Sequence, residues 1–122
     1  MSKFVKVEGN NDFEKMGAYI KNNKNQNYYI APKLMDNIVN SNLRSAVGIS
    51  SDAIKQKMQN NVDLIAMPVY NKVFETDVFR IESIKINGSL CKIPNNIENE
   101  SVVFGLDEDE EFILCTDTEN LN

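Results

Sequence analysis

Charged and apolar residues alternate along 3–8, with Val5 and Val7 on one side and Phe4 on the other, which is the period of a half-buried strand. Gly9-Asn10-Asn11-Asp12 then supplies turn and cap chemistry. Phe13, Met16, Gly17 and Ile20 follow at helical spacing, predicting a first helix that ends among Asn22 to Asn27. A glycine inside a helix costs about 1 kcal/mol relative to alanine, so Gly17 is expected to pack closely against a sheet. Tyr28-Tyr29-Ile30-Ala31 reads as a short buried strand stopped by Pro32. From Lys33 the stripe Leu34, Met35, Ile38, Val39, Leu43, Ala46 and Val47 predicts a long second helix. Lys33, Asn37, Asn40, Ser41 and Arg44 fall on its polar face, and Gly48 ends it. Asn42 lies within the stripe and needs a hydrogen-bond partner if buried. Ser50-Ser51-Asp52 offers a cap for a short amphipathic continuation over 53–58.

Val62 to Met67 is an almost continuous apolar run, the pattern of a strand covered on both faces, and Pro68 closes or kinks it. Val78, Arg80, Glu82 and Ile84 then alternate with Phe79, Ile81, Ser83 and Lys85. Asn87-Gly88 is a strong hairpin signal, because both residues tolerate the positive φ of a type I′ turn, and a strand over Leu90 to Ile93 pairs back. Val102 to Leu106 and Phe112 to Cys115 form a second hairpin around Asp107-Glu108-Asp109-Glu110-Glu111. The expected architecture is a single α+β domain, β-α-β-α-β-β through Ile86, with an additional C-terminal strand and an acidic β-hairpin.

Charge changes this picture. All thirteen Lys and Arg lie at or before Lys92, against nine acids there, a balance of +4. Residues 93–122 hold nine acids and no base, so the net charge of −5 conceals two different surfaces. Residues 1–92 therefore read as a mildly basic core and 93–122 as an acidic extension. There is no histidine, which removes the side chain most used for proton transfer near neutral pH. No Cys/His cluster, nucleophile–base pair or glycine-rich phosphate loop is visible, so neither enzymatic activity nor a cofactor or metal is expected. The acidic run lacks the glycine and ligand spacing of a calcium loop. The N-terminus carries no export signal and no apolar run is long enough to span a bilayer, so a cytoplasmic location is expected, with no membrane contact and with Cys91 and Cys115 reduced and buried.

The run Val62-Asp63-Leu64-Ile65-Ala66-Met67-Pro68 after the second helix, together with the element order, resembles stage V sporulation protein S and its Alba-like relatives over residues 3–86. The resemblance implies an Alba-like core that associates with DNA or RNA as a homodimer. It implies contacts through the edge of the first helix, the start of the second and the loop between the last two family strands. Carried over by position, these are Asn10, Asn11, Lys33, Lys72 and Arg80; Arg44 joins them from the polar face of the second helix. Together they supply a few phosphate contacts and hence weak, salt-sensitive binding. The segment 43–58 also has the outline of a helix-turn-helix, with Gly48 at the turn. Asp107, Glu108, Asp109, Glu110 and Glu111 form the candidate partner-binding site: they moderate nucleic-acid affinity by covering the basic surface, or recruit a partner. The alternative is a protein-interaction or inhibitor module whose acidic end engages a basic protein, with no nucleic-acid role.

Overall fold

The computed structural model describes residues 4–6, 9–23, 25–41, 44–50, 52, 56, 62–72, 74–96 and 98–115. Its elements are β1 (Phe4–Lys6), α1 (Asp12–Asn22), β2 (Asn27–Ile30), α2 (Pro32–Asn40), β3 (Ser45–Val47), β4 (Leu64–Asn71), β5 (Thr76–Ile86), β6 (Ser89–Lys92), β7 (Ser101–Leu106) and β8 (Phe112–Cys115). The expected α+β architecture is present. The strands form one mixed sheet in the order β1-β8-β7-β2-β5-β4-β3, with β6 paired to the far end of β5.

Helix α1 starts where the sequence provides a cap. The Asn11 side chain accepts from the Glu14 amide at 2.9 Å, and the Glu14 carboxylate accepts from the Asn10 amide at 3.3 Å. Met16, Gly17 and Ile20 are buried, as the spacing predicts. Pro32 opens α2 at a position where its missing N–H costs nothing. Here expectation and structure part: α2 ends at Asn40, Val39 is half exposed, and Ser45-Ala46-Val47 forms β3 instead of continuing the helix. The Arg44 carbonyl accepts from the amides of Asp63 and Leu64 at 2.9 and 3.2 Å, which starts a parallel ladder with β4. Ladder pairing to a buried strand outweighs a helical stripe that Ser41 and Asn42 already weaken by propensity. With residues 45–47 in a strand, the helix-turn-helix outline is lost. Gly48 ends a strand, with φ of +68°. Leu43, Asn42 and most of the continuation over 53–58 lie outside the described residues.

Strand β4 differs as well. Leu64, Ile65 and Ala66 are buried on both faces as expected, but the strand runs through Pro68 to Asn71. Beyond Ala66 it has no β3 partner, so a residue without an N–H is tolerated at that edge. Opposite it, β5 carries a bulge: Ile65 pairs with Ser83 and Ala66 with Ile81, leaving Glu82 without a counterpart. The extra residue breaks strict alternation and turns both Ile81 and Ile84 into the main core. Asn87 and Gly88 have φ of 51° and 82°, the signature of the anticipated turn, and Ile86 pairs with Ser89.

The second hairpin, β7–β8, lies inside the sheet. Strand β7 runs parallel to β2 from Asn27↔Ser101 to Ile30↔Phe104, and β8 joins β7 to β1. Val102, Phe104, Phe112 and Leu114 share one core with Met16, Ile20, Tyr28, Leu34 and Ile38 of the helices and β2. The charge boundary at Lys92 therefore does not coincide with a break in packing. The connection into β7 is fixed by Asn27, which is buried. Its side-chain amide donates to the Asn96 carbonyl at 2.6 Å and its carbonyl accepts from the Asn96 amide at 3.2 Å, a side-chain copy of a backbone pairing. Cys91 and Cys115 are unbridged, the first half-buried and the second buried.

Candidate interaction surface

The topology decides which candidate residues meet. Strand β7 leaves the sheet beside the C-terminal end of β2, where the Ala31 amide donates to the Phe104 carbonyl at 2.8 Å. The acidic tip begins three residues after Phe104, and Lys33 stands three residues after Ile30 at the start of α2. Strand β5 is antiparallel to β2, so the β4–β5 turn with Lys72 lies at this same end of the sheet. Lys33 and Lys72 are exposed here, facing a region that also carries five consecutive carboxylates.

Of the other four candidates, Asn10 and Asn11 follow β1, whose Lys6 pairs with Ile113 near the tip, and Arg44 and Arg80 lie further off. Asn11 is consumed as the α1 cap and lines an open cleft of about 360 Å³ with Asn37, Ile38 and Ser41 of α2. Asn10 precedes it and is tied by its backbone to Glu14. Arg44 precedes β3 at the opposite end of β4 from Lys72, eight strand residues or about 26 Å away. Arg80 sits in the middle of β5, half-buried, with its guanidinium 3.3 Å from the Glu82 carboxylate. The six residues do not form one basic surface.

The acidic tip is a built turn. Asp107 Oδ1 accepts from the amides of Asp109 and Glu111, both at 2.9 Å. The Asp107 amide donates to the Glu111 carbonyl at 2.9 Å and the Glu110 amide to the Asp107 carbonyl at 3.0 Å. Asp107 is thereby half-buried as the turn's own acceptor, while Glu108, Asp109, Glu110 and Glu111 are exposed. Glu110 adopts φ of 61°, a left-handed conformation that favours glycine or asparagine. Lys15 holds its ammonium 5.5 Å from the centre of the Phe112 ring at the base of the tip. Among the described residues, no three acidic or cysteine side chains converge as metal ligands.

Two tyrosines are shifted, and both belong to the core. Burial, then the charges of Tyr19 and Cys91, push the Tyr28 phenol far above its ordinary value. Its hydroxyl donates to the Asn23 carbonyl and lies 3.2 Å from Gln26. Tyr19 is raised by burial and by Glu100, against an opposing hydrogen bond from Gln26. Both phenols stay protonated at neutral pH.

The sequence reading missed an exposed apolar group. Val69, Tyr70 and Phe74, at 38, 63 and 44% exposure, project from the β4–β5 hairpin. The signal was present in Val69-Tyr70 and Phe74, but Pro68 suggested that the strand had ended. Among the described residues, no helix is long and apolar enough to cross a membrane. No protein-family model, curated protein or solved structure matches the chain.

Proposed function

We propose that this chain is a non-enzymatic interaction module that presents the acidic tip of β7–β8 to a basic surface on another protein. The observation that carries this reading is the tip's construction. Asp107 fixes the turn, two strands inside the sheet hold its base, and four further carboxylates are displayed on an ordered frame. An ordered frame lowers the entropy lost on binding, and like charges held together raise the rate and selectivity of encounter with a cationic patch. The nucleic-acid reading has less support, because Lys33 and Lys72 share their end of the sheet with those acids and Arg80 is paired with Glu82. The Alba-like comparison rests on the order β1-α1-β2-α2-β4-β5, into which β3 is inserted after α2, while β7 and β8 separate β1 from β2 in the sheet.

The test is position-specific neutralisation. A Glu108→Gln, Asp109→Asn, Glu110→Asn variant changes net charge by three units yet keeps Asp107. Its binding to an immobilised oligo-arginine peptide is compared with that of a variant neutralised at exposed Asp36, Asp52 and Glu98. Loss confined to the tip variant supports the reading. Equal loss in both indicates bulk charge alone. Binding of the unmodified chain to an oligonucleotide at low salt favours the nucleic-acid alternative.

A further inference from the structure

The turn between β4 and β5 is built in the same way as the acidic tip. The buried Asn71 side chain accepts from the Phe74 amide at 3.1 Å, as Asp107 accepts from the amides of its own turn, and Glu75 adopts φ of 55° where Glu110 has 61°. Asn71 and Val78 lie on one face of this hairpin and are buried, so that face is committed to the fold. The other face is open. There Tyr70 pairs across the ladder with Asp77, both exposed, and behind them Pro68 pairs with the half-buried Phe79, which packs against the core.

An aromatic ring directly opposite a carboxylate selects among cations. Side chains of opposed residues start about 5 Å apart at Cβ, close enough for one ligand group to touch both. A guanidinium satisfies the two together: its flat face lies on the ring while its edge donates two parallel hydrogen bonds to the carboxylate. An ammonium is compact, strongly hydrated and without a flat face, so it gains less. Phe74 and Glu75, adjacent in the turn and both exposed, present a second ring and a second carboxylate. Lys72 is exposed on the same turn and offsets part of this negative charge, so the hairpin contributes stacking and geometry more than bulk attraction.

Phe104, Ile30, Phe79 and Pro68 form one row across β7, β2, β5 and β4. Both turns leave the sheet on the same side of this row, with their midlines three strand spacings or about 14 Å apart. An extended segment of about five residues covers that distance.

We propose that the Tyr70–Asp77 pair, with Phe74 and Glu75, is an arginine-selective contact in the same interface as the acidic tip, and that the partner segment is arginine-rich rather than lysine-rich. The partner's basic character rests on the acidic-tip reading. The choice of arginine rests on the hairpin.

Fluorescence anisotropy with labelled octa-arginine and octa-lysine, equal in charge, tests it on the full chain, with circular dichroism confirming that each variant folds. The unmodified chain is expected to bind octa-arginine roughly tenfold tighter than octa-lysine. Tyr70→Leu and Phe74→Leu leave every charge in place; together they bring the two affinities within about twofold of each other while octa-lysine binding is unchanged. Asp77→Asn lowers the ratio in the same direction, whereas Asp36→Asn on α2 does not. Neutralising the tip has a different signature: affinity for both peptides falls and the ratio is kept. Equal affinities in the unmodified chain overturn the proposal, as does an arginine preference that survives the paired Tyr70→Leu and Phe74→Leu substitutions. If tip neutralisation leaves octa-lysine binding intact while the hairpin substitutions abolish the preference, the acidic-tip reading fails and the arginine contact stands.

Discussion

Cutting the chain after Lys92 removes every residue of the acidic half, and the structure predicts that what remains does not fold. The deletion takes Val102, Phe104, Phe112 and Leu114, none more than 3% exposed. At about 1.5–3 kcal/mol for each fully buried apolar side chain, their loss amounts to roughly 6–12 kcal/mol. A domain of this size has roughly 5–15 kcal/mol in all. The cut also leaves β1 without its ladder partner β8 and opens the edge of β2 that β7 covers. Phe104 shows how tightly the halves interlock. Its ring stacks on Tyr28 and on Phe112, each at 5.6 Å, and meets Tyr19 edge-on at 6.1 Å. Far-ultraviolet circular dichroism and urea titration of the 1–92 fragment provide the assay. No cooperative transition is expected. A sigmoidal unfolding curve, with a slope appropriate to a 92-residue domain, would refute the shared core and restore the acidic half as an appendage.

Three smaller perturbations probe other parts of the account. Asn27→Ala removes the paired bonds to Asn96 and should cost about 2 kcal/mol, read as a lower urea midpoint at unchanged slope. Glu110→Gly relieves a left-handed glutamate and should stabilise by about 0.5–1 kcal/mol, net of the glycine's greater freedom in the unfolded chain; destabilisation would contradict the turn geometry. The Tyr28 phenol is raised in the fold, so the unfolded chain loses its proton first. Stability is full below the ordinary tyrosine value near 10 and falls as pH climbs above it. A Tyr28→Phe chain should lose the hydrogen bond to Asn23 and show a shallower alkaline decline in denaturation midpoint.

The parts of this fold that were legible in the sequence are those decided by neighbours along the chain. Asn11 and Glu14 cap α1 locally, Asn87-Gly88 selects its own turn, and the five acids between Leu106 and Phe112 can only be a loop between apolar segments. The parts that were not legible depend on partners far away. Ala46 and Val47 suit a helical stripe or a strand equally, and the β4 ladder decides between them. Nothing near Glu82 announces a bulge, yet it turns Ile84 into the core. The same holds for β7, whose entry beside β2 is set by Asn27 reaching across to Asn96. For the candidate site, the acidic tip was visible as a charge run, whereas the separation of Arg44 from Lys72 follows from the pairing of β4 with β3 and β5, and Arg80 is taken up by Glu82 on its own strand.

The central claim is that an ordered acidic tip, and not bulk charge, carries recognition. Surface plasmon resonance of the full chain on immobilised oligo-arginine measures it most directly, comparing the tip-neutralised variant with the one neutralised at Asp36, Asp52 and Glu98. The account predicts that the first loses most of its binding and the second keeps it, at equal net charge. Identical losses in the two variants would contradict it.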